Sequence, residues 1–246
     1  MRLLACATAA VLTLSGLAVP AAAVTHVYGY AWSDGDGRLR VVPRSATRVT
    51  RQGHVFHRLK TVSGAKELRL DYTGASYGRV TVACDLKETE GHVALDAGGL
   101  GRTACEPAHL ETELLAGPVP LRIEYRGGKA TRVNEILVHD WPDPRPARGT
   151  ISRINDTTVV FTAGDKKIKL GYTYTTAFHR TTARCGDGWL AGEPVNAAKS
   201  GLGRKPCAWT DLTKALKAAR HPVLVKVDYT PGVGSLDQVW EVFGDA

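Results

Sequence analysis

The sequence predicts a β-rich α+β protein of two tandem, duplicated small domains. Each is expected to hold a five-stranded antiparallel sheet, one helix and one intradomain disulfide. Three observations carry this expectation. A motif occurs twice, as Gly99-Leu100-Gly101-Arg102 and as Gly201-Leu202-Gly203-Arg204. Each copy lies between two cysteines of similar spacing, Cys84 and Cys105 or Cys185 and Cys207. Short runs of alternating apolar and polar residues, the pattern of half-buried strands, surround both copies in the same order. The offset between matched positions grows slowly, from 100 for Tyr72 and Tyr172 to 104 for Tyr125 and Tyr229, as small loop insertions would produce.

Residues 1–23 are expected to be a secretory signal peptide: Arg2, then an apolar run from Leu3 to Val19, then Ala21-Ala22-Ala23 at a cleavage site. The apolar core is short for a membrane span, and no later segment reaches that length. Leu3-Leu4-Ala5-Cys6 resembles a lipoprotein box, but only five residues precede Cys6, so lipidation is not favoured and Cys6 leaves with the leader. Of the five cysteines in the chain, four then remain. In an oxidising compartment these make two bridges, and the duplication selects Cys84–Cys105 and Cys185–Cys207. The location implied is extracellular.

The first domain, 24–141, opens with a strand at His26–Trp32, a turn at Ser33–Gly37 and a strand at Arg38–Val42. Asp34 and Asp36 imitate the start of a calcium loop, but the remaining ligands and the closing Glu are missing, so a hairpin turn is expected. Residues 44–66 form an insertion with no counterpart in the second domain. Positions 38 to 66 hold eight basic residues and no acidic one. His54 and His57 could hold a metal only on a helix, and Val55-Phe56 between them read as strand.

Further strands are expected at Glu67–Tyr72 and Gly78–Cys84, then a helix opened by Pro107 and stopped at Gly117-Pro118. Strands at Pro118–Tyr125 and Arg132–His139 complete the domain. Three alternating prolines at Trp141–Pro146 suggest a stiff linker over 142–147. The second domain, 148–246, repeats the order with strands at Gly149–Ile154, Thr157–Thr162 and Lys166–Tyr172. A helix follows at Asp211–Arg220, capped by Thr210, then strands at Pro222–Tyr229 and Leu236–Phe243. Three strands, a helix and two strands is an order that resembles the OB-like barrel of oligonucleotide- and oligosaccharide-binding domains. The resemblance is one of topology, without signature residues.

Catalytic patterns are sparse. There is no Gly-x-Ser-x-Gly elbow, His-Glu-x-x-His run or phosphate loop, and the exported cysteines are committed to bridges. Carboxylates at Asp71, Glu88, Glu90 and Glu124 leave room for a hydrolase confined to the first domain, recognisable by a pocket gathering Asp71, Glu88, Glu90 and a histidine. A self-associating surface protein is a second alternative. The favoured reading is a non-catalytic binding protein that engages an anionic extracellular or cell-wall polymer, or an exported protein. No cofactor or metal is implied. The net charge of +8 attracts anions without naming one. Nucleic acid would call for exposed aromatics amid the charge, and the stripe Tyr28, Tyr30, Trp32 reads rather as core or domain interface. Candidate contact residues are Arg44, Arg48, Arg51, Arg58 and Lys60, from the acid-free insertion, with Arg102 and Arg204 from the repeated motif. The motif itself reads chiefly as a turn that delivers Cys105 and Cys207.

Overall fold

The computed structural model describes residues 24–89 and 91–244; the expected leader, Cys6 and Glu90 lie outside the described residues. Two sheets and two helices account for the architecture, and no described helix is long and apolar enough to cross a membrane. The first sheet takes β1 (Thr25–Gly35), β2 (Arg38–Val41), β3 (Arg44–Arg51), β4 (His54–Thr61), β5 (Leu68–Asp71), β6 (Ser76–Arg79) and β7 (Thr103–Cys105). After α1 (Pro107–Ala116) it is completed by β8 (Val119–Arg126) and β9 (Lys129–Glu135). The second takes β10 (Arg145–Asn155), β11 (Thr158–Ala163), β12 (Lys166–Gly171), β13 (Ala177–Arg180) and β14 (Lys205–Cys207). After α2 (Trp209–Ala218) come β15 (Val223–Thr230) and β16 (Ser235–Glu241).

Alternation decides what each strand buries. Leu39, Leu70, Leu121, Ile123 and Val133 turn inward from the first sheet, where Leu110 and Leu114 of α1 meet them. Ile151, Phe161, Leu170, Val225, Val227 and Val239 do the same in the second, beneath Leu212 and Leu216 of α2. Each helix leucine buried this way contributes about 1.5–3 kcal/mol.

Several expected boundaries move, for identifiable reasons. The strands expected to run into Cys84 and Cys185 stop at Arg79 and Arg180, because those side chains fold back to donate to Cys84 O (2.5 Å) and Cys185 O (2.8 Å). A short strand that was not expected, β7 or β14, is added just before each helix and pairs with β6 or β13. The expected linker is partly strand: Arg145, Pro146 and Ala147 pair with Tyr229, Asp228 and Val227. Thr210 does not cap α2. The helix begins after Ala208, and Asp211 Oδ2 accepts the Ala208 N–H at 3.1 Å, so the acidic residue closes the first turn instead.

Both disulfides form as expected, Cys84–Cys105 and Cys185–Cys207. They fit an oxidising, extracellular environment. The aromatic stripe of β1 is consumed inside the protein. Trp32 Nε1 donates to Val233 O (3.1 Å), Tyr30 packs edge-on against Trp141, and both rings are buried. Lys169 Nζ bonds Glu67 at 2.7 Å across the same seam, and Thr173 Oγ1 donates to Ala116 O. Gly171 stands where the first sheet carries Asp71 because a Cβ there would lie 2.6 Å from the Trp32 ring.

Candidate functional site

The acid-free insertion folds as the β3–β4 hairpin, closed by Gln52 and Gly53 at φ 50° and 77°, the double left-handed turn that matches strand twist. Its five candidate residues divide by function. Arg44 Nη2 donates to Gly232 O at 2.7 Å and Nη1 bonds Thr61, so Arg44 ties the hairpin to the second sheet. Arg58 Nε donates to Asp140 Oδ2 at 2.8 Å and stands beside His139 Nδ1. Hydrogen bonds from Arg58 and from His139 Nδ1, which lies 2.5 Å from Asp140 Oδ1, together with their charges hold the exposed Asp140 carboxyl below the usual range. Arg48, Arg51 and Lys60 are exposed and make no side-chain hydrogen bond or ion pair among the described residues.

The two histidines cannot share a metal. Three positions apart on one strand they point to opposite faces, His54 outward and His57 into the protein. His57 is 1% exposed, stacks near Tyr28 at 5.4 Å, and neither ring nitrogen has a partner. Burial and the neighbouring Arg48 and Arg122 push its pKa down, against a smaller pull from Asp96. The hairpin is fastened here, since His57 N–H donates to Leu137 O and His57 O accepts from His139 N–H. The Asp34–Asp36 segment is a plain turn with left-handed residues, and Asp34 pairs with Arg69.

The repeated motif has two structural tasks. Gly99 and Gly201 both sit at φ 76°, where glycine is favoured. Gly101 and Gly203 admit no side chain, because a Cβ would lie 2.5 Å from the backbone carbon of Arg79 or Arg180. The arginines that follow, Arg102 and Arg204, are exposed and unpaired among the described residues. In the first sheet the loop carrying the motif meets the hairpin. Val55 touches Gly99, and Arg48 Nη2 lies 3.5 Å from where a Gly98 Cβ would be. The structure therefore brings Arg48 and Arg102 to one loop, 96–102, and adds Arg132 beside it, which sequence reasoning had passed over. Arg51 and Lys60 stand on the same hairpin. Arg204 belongs to the second sheet.

An arginine ends both β6 and β13, and a glutamate ends both β9 and β16. These meet as buried pairs, Arg79 Nε–Glu135 Oε1 at 3.1 Å and Arg180 Nη2–Glu241 Oε1 at 3.0 Å. Beside Arg79–Glu135 opens a cleft of about 460 Å³. Glu88, Glu113 and Lys87 line it opposite an apolar wall that includes Pro118, Pro120, Leu137 and Val138. Glu135 already accepts from Tyr77 OH, Arg79 Nε and Val80 N–H. Glu113 is the less committed carboxyl. It pairs with Arg79 at 2.9 Å, and burial raises its pKa against the pull of that arginine.

The gathering that a hydrolase was expected to show does not occur. Asp71 bonds its own neighbour Thr73 and does not line the cleft, Glu90 lies outside the described residues, and no histidine lines the cleft. The one cluster of metal-binding residue types among the described residues, Cys185, Cys207 and Asp211, has both sulfurs locked in a disulfide.

Comparison with protein-family models, curated proteins and solved structures returned no match in any of the three.

Proposed function

We propose that the protein is exported and acts by binding, without catalysis, an anionic extracellular or cell-wall polymer along the basic β3–β4 hairpin of its first half. The observation that carries this reading is the set of unpaired cations, Arg48, Arg51, Lys60 and Arg102, placed on one hairpin and the loop packed against it. Arg58 of the same hairpin finds Asp140 from outside the acid-free stretch, whereas these four reach no carboxylate within ion-pair distance among the described residues, which leaves their charge for an outside partner. The two disulfides support export.

We further propose that the two halves are copies of one unit, each an OB-like barrel. The pairings support it. They run β1–β2–β5–β9–β8 and back to β1, and β10–β11–β12–β16–β15 and back to β10. In each ring the single parallel step joins the third strand to the last. On this reading the second unit packs on the first through Trp32, Arg44 and Glu67, and the inserted hairpin is the first unit's own addition.

The test is retention on immobilised polygalacturonate over a salt series. The wild-type protein is compared with a variant carrying Arg48→Ser, Arg51→Ser, Lys60→Ser and Arg102→Ser. Arg44 and Arg58 stay in place because they hold the fold. Salt-dependent binding that falls at least about tenfold in the variant is expected, since each charge-assisted contact is worth about 1.5–3 kcal/mol. Unchanged retention would remove the basic hairpin and its loop from consideration.

A further inference from the structure

We infer that a hollow beside the Gly101-Arg102 turn binds a hydroxylated carboxylate, a sugar acid in its chemistry. This rests on the binding reading above and names the group that the first half recognises. The hollow has a volume of about 190 Å³, and Ser76, Asp96, Arg102, Arg132 and Asn134 supply its polar lining.

Asn134 sets the requirement for a donor. It is 7% exposed, and its Nδ2 donates to Gly101 O at 2.8 Å. That bond fixes the amide's orientation, because a flipped amide would face carbonyl to carbonyl. Its Oδ1 is left buried with no partner, and a buried acceptor in that state is costly until a donor reaches it. Gly78, level with Asn134 across the β6–β9 pairing, is needed for this approach. A Cβ there would lie 2.3 Å from Gly101 O and 2.6 Å from Asn134 Nδ2.

Arg102 and Arg132 set the requirement for an anion. Both are exposed, and neither guanidinium has a hydrogen bond or ion pair among the described residues. A guanidinium matches the two oxygens of a carboxylate. Asp96 then discriminates among anions. Its Oδ1 accepts from the Gly98 and Leu100 N–H groups, and its charge at the rim repels a ligand made only of acceptors. Sulfate offers Asn134 and Asp96 no donor, and phosphate near neutral pH only the one or two hydroxyls of its charged group, whereas a sugar acid carries several hydroxyl donors set apart from its carboxylate.

The second sheet fills the same position. His179 and Trp240, which pair as Gly78 and Asn134 do, stack at 5.2 Å, with Lys226 Nζ over the Trp240 ring at 3.9 Å. The hollow therefore belongs to the first half, on the side where Arg48 and the hairpin lie.

Calorimetric titration of the full protein with D-galacturonate, trigalacturonate, galactose and inorganic phosphate tests this. Galacturonate is expected to bind at least about tenfold more tightly than galactose or phosphate. Arg102→Ser and Arg132→Ser, both at exposed positions, are expected to weaken it about tenfold each, with Asn134→Leu as a third variant once its melting curve shows it folds. Trigalacturonate gaining over the monomer marks a polymer as the source, and equal affinity marks a free sugar acid. Galactose or phosphate binding as well as galacturonate would overturn the inference. So would galacturonate binding that ignores both arginine variants. If neither sugar acid binds but polygalacturonate is still retained through the hairpin cations, the hollow is refuted and the broader reading stands. If polygalacturonate is not retained either, both fall.

Discussion

The two buried arginine–glutamate pairs are built alike and finished differently. Around Arg180–Glu241 the chain closes over the pair. Arg180 donates to Asp187 O and Gly188 O, Glu241 accepts from Leu190 N–H, Thr181 N–H and Thr181 Oγ1, and Trp189 stacks on Phe178. Around Arg79–Glu135, Cys84 O is the only carbonyl of the corresponding loop that bonds the arginine among the described residues. A tyrosine, Tyr77, stands where β13 has Phe178 and donates to Glu135, Glu113 joins Arg79, and the space beyond is a cleft. The same contrast recurs where His179 and Trp240 stack in the second sheet and Gly78 and Asn134 leave a hollow in the first. At these two places the second half has spent its polar groups on itself, whereas the first leaves Arg102, Arg132 and Asn134 Oδ1 unpaired beside open space among the described residues. That local asymmetry, more than any motif, is why binding is proposed for the first half.

The sharpest way to break the comparison is to remove one charge from each pair. Glu241→Gln leaves Arg180 buried with no counter-charge and is expected to cost about 3–5 kcal/mol in urea unfolding. Glu135→Gln is expected to cost less, on the order of 1–3 kcal/mol, because Glu113 still faces Arg79 and the cleft admits water. Equal losses would mean that the cleft side is as closed as the other.

Removing either disulfide comes next. Cys84→Ser with Cys105→Ser, or Cys185→Ser with Cys207→Ser, opens loops of nearly equal span, 21 and 22 residues. Each is expected to lower stability by about 3 kcal/mol. Two clearly unequal losses would show that the loop over Arg180 contributes to closure independently of its bridge.

A smaller effect follows pH. Burial lowers the pKa of both His57 and His179 below the ordinary histidine value, with nearby cations adding to it and, for His179, a hydrogen bond to Gln238 opposing it. Above about pH 6.5 both are neutral whether folded or unfolded and contribute no pH dependence. As the pH falls below that value the unfolded chain takes up the protons first, so stability declines toward the folded-state pKa. His57→Phe is expected to remove more of this decline than His179→Phe, since His57 is sealed and His179 is half-buried. Melting temperatures of the three proteins between pH 7 and pH 5 check it, and a larger effect of His179→Phe would reverse the assignment.

Much of the scaffold is readable in the residues. The repeated motif between each pair of cysteines selected both bridges, and alternation located most strands, because a half-buried strand must alternate whatever surrounds it. The boundaries that failed were set by tertiary partners. Arg79 ends β6 by reaching back to Cys84 O, and Arg145–Ala147 became strand because β15 lay alongside. The site was half legible. A run of arginines without acids is visible in sequence, but its division is not: Arg44 and Arg58 find Gly232, Asp140 and His139 only once 80 or more intervening residues have folded. Arg132 and Asn134 gave no signal at all, being ordinary polar positions on a strand until the Gly101 turn packs on Asn134 and places Arg102 near Arg132.

Amide shifts of isotope-labelled protein titrated with trigalacturonate test the asymmetry most directly. The account predicts shifts at residues 76–78, 96–102 and 132–134 and along the β3–β4 hairpin, and none at the matching residues 177–179, 201–204 and 238–240. Shifts confined to the second sheet, or spread equally over both, would contradict it.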